Sequence, residues 1–277
     1  MTDAAFVRYL SAKRTVDDRA LNARVWDALL RTAAEWPRVL EVGGGIGTMV
    51  ERVLDDARLR PRGWTLVDAQ PLLIQEARRR LARRSVPGLD LVAADLETWL
   101  TTRRDSFDLV VANAFLDLVD MPRVLPRLLP LASAGGLFYF SLTFDGLSAL
   151  EPVTDPVLEE RILGAYHRSM DERMVNGRRS GDSRSGRHLL GLLPRAGYAI
   201  LEAGASDWLV FPRAGAYHAD ERFFLECILT FFEESVSARR EVSTDELAAW
   251  LALRRGQLER GELIYVAHQL DVLARPA

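Results

Sequence analysis

A run of glycines directly after an apolar segment constrains this chain more than any other feature of its sequence. Residues 39–42 read Val-Leu-Glu-Val, and residues 43–47 read Gly-Gly-Gly-Ile-Gly. The apolar run predicts a buried parallel strand, and the periodic apolar residues of 49–54 predict a helix after it. Glycine has no Cβ and adopts positive φ at little cost. The run therefore predicts a strand-to-helix turn whose backbone touches a ligand.

The spacing of these glycines departs from the dinucleotide-binding fingerprint G-x-G-x-x-G. Counted from Gly43 the last position is Thr48, and counted from Gly45 it is Val50. The pattern that stands here is E-x-G-x-G-x-G, which begins at Glu41. A nicotinamide-dependent oxidoreductase is therefore disfavoured.

Further apolar segments follow the glycines at the spacing of an alternating α/β fold. Predicted strands occupy residues 63–68, 89–95, 107–113 and 136–143, with helices predicted over 47–57, 71–84 and 121–132. Asp68 and Asp95 each end one of these strands. Such alternation predicts a parallel sheet with right-handed crossovers.

These motifs, in this order, resemble the class I S-adenosylmethionine-dependent methyltransferases. The resemblance covers residues 37–144 closely and the remainder only by topology. It implies a Rossmann-like, doubly wound α/β fold with a seven-stranded sheet, in which the last strand runs antiparallel between the fifth and the sixth. It also implies that the chain binds S-adenosylmethionine and releases S-adenosylhomocysteine.

The same resemblance implies roles for single residues. Glu41 would support the glycine turn or the amine of the cofactor, Asp68 would hold the ribose, and Asp95 the adenine amino group. A helix cap is the alternative interpretation of Asp95. A basic group of the N-terminal segment is expected to meet the cofactor carboxylate. The predicted cofactor-binding residues are Glu41, Gly43, Gly44, Gly45, Gly47, Asp68, Ala69, Asp95, Leu96, Asn113, Lys13 and Arg19.

Composition limits the partners of the chain. The 277 residues are 48% hydrophobic, carry a net charge of −3 and include a single cysteine, Cys227. This balance argues against nucleic acid and membrane partners, and one cysteine excludes disulfides and thiolate metal sites within the chain. No apolar run approaches a membrane span, and no signal peptide is recognisable. We therefore expect a cytoplasmic protein without a metal; the oligomeric state is left open.

The chain is longer than the minimal fold requires, which predicts an added subdomain. Residues 1–36 read as a helical segment, with a helix start at Thr15, and residues 37–144 as the cofactor-binding core. Residues 145–184 and 212–260 are predicted to form a helical cap, while 185–211 and 261–277 complete the sheet. Both insertions leave the side on which open α/β sheets bind ligands.

The cap is expected to supply the site for the methyl acceptor. The predicted substrate-binding residues are Asn113, Asp117, Arg184, His188 and Trp208, and the only candidates for a general base are His167 and His188. The arginine-rich segment 176–188 suits recognition of a carboxylate or phosphate, with a polar loop as the alternative. The segment after the fourth strand, Asn113-Ala114-Phe115-Leu116, lacks the two prolines of amine-directed methyltransferases.

We therefore predict methyl transfer to a small-molecule acceptor, at oxygen or carbon rather than at an amine. Two alternatives stay open at this point. One is a methyltransferase-like enzyme that catalyses a step other than methylation. The other is a non-catalytic module that binds S-adenosylmethionine or a partner, for which we would expect a cap packed shut without a cavity.

Overall fold

A mixed β-sheet with helices on both faces forms the centre of the molecule. The computed structural model describes residues 1–56, 58–102, 105–175 and 177–277. Ala57, the last residue of the predicted helix 47–57, lies outside the described residues, as does Asn176, the first residue of the arginine-rich segment.

Two helices precede the sheet, α1 (Asp3–Ala20) and α2 (Ala23–Thr32). The helix start predicted at Thr15 is wrong, because α1 begins after Thr2, whose side chain accepts from the backbone N–H of Ala5. Thr15 lies inside the helix, where its hydroxyl donates to Glu221 Oε1 at 2.7 Å. The acids near Thr15 instead form ion pairs with residues one helical turn away. The pair of Lys13 with Asp17 is an example, and such pairs stabilise a helix.

The first half of the sheet is parallel, and its strands alternate with helices. In chain order the elements are β1 (Arg38–Val42), α3 (Thr48–Asp56), β2 (Gly63–Asp68), α4 (Pro71–Leu81), β3 (Leu89–Ala93), α5 (Leu96–Thr102), β4 (Phe107–Asn113) and α6 (Met121–Leu128). β1 lies between β2 and β4, and Val42 pairs with Val67. The carboxyl ends of β1 and β2 are therefore level with each other.

The second half of the sheet is longer than predicted. Its elements are β5 (Ala132–Glu151), α7 (Pro156–Asp171), the short hairpin β6 (Met174–Val175) and β7 (Arg178–Arg179), α8 (Ser185–Arg195), β8 (Tyr198–Ala205), β9 (Trp208–Val210), α9 (Glu221–Val236), α10 (Thr244–Glu259) and β10 (Ile264–Pro276). β10 lies antiparallel between β5 and β8, as predicted. It also pairs with β9, so the main sheet of the described chain has eight strands rather than seven.

One hydrophobic cluster joins the helices outside the sheet to its extended strands. It contains Val16 of α1, Ile162 of α7, Phe224 of α9, Trp250 of α10 and Tyr265 of β10. All of these side chains are buried. Within the described residues, no helix has the length and apolar character needed to cross a membrane.

Candidate active site

The glycine turn lies where β1 passes into α3. Gly43 and Gly45 have φ values of 65° and 54°, which disfavour other residue types. A Cβ built on Gly43 would lie 2.1 Å from Cδ2 of Phe115, so glycine is also required there by close packing. The backbone N–H of Gly43 donates to the carbonyl of Val67 at 2.8 Å, which ties the turn to the end of β2.

Glu41 is a buried carboxyl group directly behind the turn. The indole Nε1–H of Trp64 donates to its Oε2 at 3.0 Å. Burial raises the pKa of Glu41 to about 8, and the hydrogen bond from Trp64 and the charge of Arg52 only partly oppose that shift. The residue lines the cavity described below. It is therefore placed to receive a positively charged ligand group, which would favour its ionised form.

The raised pKa of Glu41 predicts a pH-dependent stability. Because the folded-state pKa is about 8 against an ordinary 4.5, the folded protein holds the extra proton and its unfolding free energy falls as pH rises through this interval. Glu41→Gln should remove this loss, so the variant gains a few kcal/mol over the parent between about pH 5 and pH 8. Urea unfolding across that range measures the difference. Glu35→Gln, at an exposed acid, is the control, and parallel curves for parent and Glu41→Gln would contradict the prediction.

Asp68 and Asp95 lie beside the turn, at the ends of β2 and β3. Oδ2 of Asp68 accepts from the backbone N–H of Gly45 at 2.9 Å, and Oδ1 accepts from that of Gln70 at 2.9 Å. Burial raises the pKa of Asp68, and these two N–H groups oppose the shift. Oδ1 of Asp95 accepts from the backbone N–H and the hydroxyl of Thr98, so this acid also caps α5. Asp95 and Ala69 are exposed, so this half of the candidate site is open to solvent.

A cavity of about 370 Å³ adjoins the other side of the turn. Its lining includes Glu41, Gly43, Gly44 and Gly45 of the turn, Phe6, Tyr9, Leu10 and Lys13 of α1, Tyr166, Ser169 and Met170 of α7, and Ile228, Phe231 and Ser235 of α9. Helices predicted as an N-terminal segment and as two insertions thus enclose one space. Of the described residues, no group of three or more His, Cys, Asp or Glu side chains is arranged to hold a metal ion.

Lys13 lies in the wall of this cavity and is buried, with 7% of its surface exposed. Its ammonium group pairs with Asp17, whose other carboxylate oxygen accepts from Nε1 of Trp208 at 2.9 Å. Trp208 lines the cavity as well. Arg19, the other predicted cation, is exposed and pairs with Glu221 instead, outside the cavity lining.

Helix α1 is attached both to the core and to α9. Arg14 donates to Glu51 of α3 at 2.8 Å, and Arg80 of α4 donates to Ser11 at 2.9 Å. On the opposite side, Arg8 donates to Asp220 just before α9, while Thr15 and Arg19 donate to Glu221. The helix therefore bridges α3 and α4, beside the parallel half of the sheet, and the α9 side of the cavity.

Asn113 and Asp117 follow β4 and both line the cavity. Oδ1 of Asn113 accepts from the hydroxyl of Ser141 at 2.8 Å. Oδ1 of Asp117 is buried and has no hydrogen-bond partner among the described residues. Burial raises the pKa of Asp117, and the positive charges of Arg173 and Lys13 partly oppose that shift. A carboxylate oxygen without a partner is thus available to a ligand.

Three other predicted residues lie away from the cavity lining. His167 contacts the hydroxyl of Ser148 and faces a separate pocket, and burial lowers its pKa. His188 is exposed and pairs with Asp182 in a groove between α6 and α8. Arg184 is exposed at the start of α8. Five predicted cofactor-binding residues also lie outside the cavity lining, at the turn or at the ends of β2 and β3: Gly47, Asp68, Ala69, Asp95 and Leu96.

Several lining residues were not recognised in the sequence. They include Tyr9, Leu142, Phe144, Tyr166, Arg173, Tyr265 and Gln269. Apolar and aromatic residues at helical or strand spacing are typical of any core, so their pattern carries no functional signal. Arg173 is a charged residue within the predicted insertion 145–184, but arginines are frequent throughout this chain, so it did not stand out.

The family model described as a methyltransferase domain matches residues 39–136. None of the curated proteins matches the sequence. Among solved structures, a similar one is an S-adenosylmethionine-dependent methyltransferase from Geobacter sulfurreducens in complex with S-adenosylhomocysteine. It is 14% identical, with a TM-score of 0.52, and the match covers 100% of this chain and 99% of that one.

A methyltransferase from Thiobacillus denitrificans, also in complex with S-adenosylhomocysteine, is 13% identical with a TM-score of 0.51. That match covers 99% of this chain and 98% of the other. At these identities the likeness to both structures is one of fold. The residues matched by the family model contain the glycine turn and the strands that lead to Asp68 and Asp95. Residues 39–136 thus match a methyltransferase domain, and the whole chain shares the fold of these two methyltransferases.

Proposed function

We propose that this chain methylates a small molecule held in the cavity between the glycine turn and the cap helices. The cofactor would be S-adenosylmethionine and the product S-adenosylhomocysteine, which is bound in the two similar structures. The observation that carries the proposal is that Glu41 and the glycines of the turn share one space of about 370 Å³ with aromatic side chains of α1, α7 and α9. A module that only binds the cofactor has no need of such a space.

The residues around the turn fit this cofactor. Gly45 carries no side chain where the turn faces the cavity, and its positive φ disfavours one. Glu41 would meet the amine, and Lys13 the carboxylate. Asp68, with Ala69 beside it, would accept from the ribose hydroxyls, and Asp95 with Leu96 would hold the adenine on the solvent-exposed side. These roles are part of the proposal.

The bound cofactor supplies a methyl group already activated by a sulfonium. What the protein contributes is alignment of the acceptor, exclusion of water and a place for a proton. The apolar walls formed by Phe144, Tyr166 and Trp208 suit the first two tasks. Neither His167 nor His188 lines the cavity, so we do not assign the proton to a histidine.

We further propose oxygen or carbon, rather than an amine, as the methylated atom. Asn113 stands where amine-directed relatives place an amide or acid before two prolines, and this chain has Ala114 and Phe115 there. The amide oxygen of Asn113 is already engaged by Ser141. One of its two lone pairs is therefore already occupied, which leaves less hydrogen-bonding capacity for an acceptor amine.

A binding titration tests the cofactor assignment first. We expect S-adenosylmethionine and S-adenosylhomocysteine to bind with similar affinity and NADH not to bind in the same range. Transfer of a labelled methyl group to small-molecule extracts then tests catalysis. Binding of NADH in preference to S-adenosylhomocysteine would contradict the proposal, and cofactor binding with no labelled product from any extract would favour the non-methylating alternatives.

Lys13 provides a separate test of how the cavity is closed over the cofactor. Lys13→Met should weaken S-adenosylhomocysteine binding about tenfold, because a charge-assisted hydrogen bond to the carboxylate would be lost. Calorimetry measures the affinity. Arg8→Met, which removes an exposed cation from the same helix, is the control and should leave the affinity unchanged. Equal affinities for Lys13→Met and the parent would place the carboxylate elsewhere.

A further inference from the structure

Two charged groups without partners lie in the same wall of the cavity. Asp117, after β4, has its Oδ1 buried and without a hydrogen bond. Arg173, just after α7, lines the cavity too, and among the described residues its guanidinium makes no hydrogen bond and no ion pair. The two residues are near enough for the charge of Arg173 to act on Asp117, yet they do not form an ion pair with each other.

Buried polar groups are normally paired, because leaving one unpaired costs about 1–3 kcal/mol. Oδ1 of Asp117 is shielded from solvent, whereas the guanidinium of Arg173 is not among the fully buried groups. Both residues are partly buried, and Arg173 is held by its backbone, whose N–H donates to Met170 and whose carbonyl accepts from Ser180. A missing partner that presents one donor and one anionic group would satisfy both.

The rest of the nearby wall is aromatic. Tyr166 lies in the cavity wall and stacks on Phe232 with ring centroids 4.0 Å apart, while Phe144 and Trp208 line the same space. Tyr166 is buried, and burial raises its pKa to about 12, so it stays a neutral phenol at physiological pH. Flat apolar walls of this kind favour a ring over a flexible chain.

We propose that Asp117 and Arg173 together bind the methyl acceptor, and that the acceptor is a small aromatic hydroxy acid. This inference rests on the proposed function. The ring lies between the aromatic side chains, the carboxylate of the acceptor pairs with Arg173, and its hydroxyl donates to Oδ1 of Asp117. When the hydroxyl oxygen bonds the methyl carbon, its proton passes to Asp117 and the electron pair of the broken carbon–sulfur bond stays on sulfur.

The buried environment suits Asp117 to this task. Because burial raises its pKa, its carboxylate is a stronger base than an exposed aspartate. The charges of Arg173 and Lys13 act in the other direction and keep the ionised form accessible. Arg173 therefore has two effects, one on the acceptor carboxylate and one on the protonation of Asp117.

The test measures binding of simple aromatic probes to protein saturated with S-adenosylhomocysteine. The probes are the three hydroxybenzoate isomers, benzoate and phenol, titrated by calorimetry. For the parent protein we expect at least one hydroxybenzoate to bind tenfold or more tightly than both benzoate and phenol. Asp117→Leu, which keeps the branched shape, should abolish the preference over benzoate. Arg173→Met should abolish the preference over phenol.

Matched controls remove the same charges outside the cavity. Asp120 and Arg179 line the groove beside α6 and α8. The variants Asp120→Leu and Arg179→Met should therefore leave the probe affinities unchanged. Asp117→Asn is a second, milder variant with an amide of the same size, and we expect it to weaken the best hydroxybenzoate about tenfold. All variants should bind S-adenosylhomocysteine like the parent.

Three results would overturn the inference. The first is equal binding of hydroxybenzoates, benzoate and phenol, or no binding of any of them, to parent protein that does bind S-adenosylhomocysteine. The second is unchanged selectivity in Asp117→Leu and Arg173→Met. The third is a loss of S-adenosylhomocysteine affinity in Arg173→Met, which would assign Arg173 to the cofactor. Failure of the parent to bind S-adenosylhomocysteine at all would instead remove the proposed function itself.

Discussion

Asp68→Ala should weaken the binding of S-adenosylmethionine and S-adenosylhomocysteine by about 100-fold. The substitution removes a carboxylate that would accept two charge-assisted hydrogen bonds from the ribose, each worth about 1.5–3 kcal/mol. It also removes the acceptor for the backbone N–H of Gly45, which lies 2.9 Å from Oδ2 and helps to fix the turn. Isothermal titration calorimetry with S-adenosylhomocysteine measures the loss.

Two further variants separate these contributions. Asp68→Asn keeps one acceptor oxygen and should lose less affinity than Asp68→Ala. Asp90→Ala, at an exposed acid in the neighbouring strand β3, removes the same charge away from the site and should bind like the parent. If Asp68→Ala binds S-adenosylhomocysteine as tightly as Asp90→Ala, the ribose is not held by Asp68.

Asp271→Leu should lower the free energy of unfolding by about 3–5 kcal/mol, since each buried donor left without an acceptor costs about 1–3 kcal/mol. Asp271 is fully buried in β10. Its carboxylate accepts from the backbone N–H of Leu142 at 2.8 Å, from that of Asn22 at 2.9 Å and from the hydroxyl of Tyr139 at 3.2 Å. Leu142 has a φ of 53° and lines the cavity, so its anchoring also shapes the site.

Urea denaturation monitored by circular dichroism gives the change in stability. Tyr139→Phe removes one of the three donors and leaves the carboxylate in place, so its loss should stay near 1 kcal/mol. A loss below about 1 kcal/mol for Asp271→Leu would show that Leu142 and Asn22 find other acceptors. The cavity would then not depend on this buried acid.

The parallel half of the sheet is predictable from the sequence because its strands are short apolar runs. The bounds predicted for β2 and β4 agree with the structure, since burial on both faces leaves a continuous apolar signal. The extensions of β5 and β10 were not predicted. Gln269 and Asp271 are polar but buried, and buried polar residues of this kind interrupt the pattern that marks a strand.

The candidate site divides in the same way. Glu41 and Asp68 lie in the last residues of strands, and the glycine turn and Asp95 come just after strands, so local sequence places them together. Asp117 and Arg173 share one wall because the segment after α7 lies against the segment after β4, where Ser180 donates to the carbonyl of Leu118. No local sequence pattern encodes that contact. Arg19, Arg184 and His188 illustrate the converse. They were predicted as site residues from their side-chain chemistry alone. In the structure, Arg19 and His188 form ion pairs and Arg184 is exposed, and none of the three lines the cavity.

The position of α1 has a consequence for turnover. Because ion pairs join this helix to α3 on one side and to Glu221 of α9 on the other, displacing it breaks both sets of ion pairs together. A ligand that enters or leaves past α1 therefore meets one barrier, whichever half of the cavity it occupies. Since the contacts are ionic and several are partly exposed, added salt lowers that barrier, and the pace of product release becomes sensitive to ionic strength.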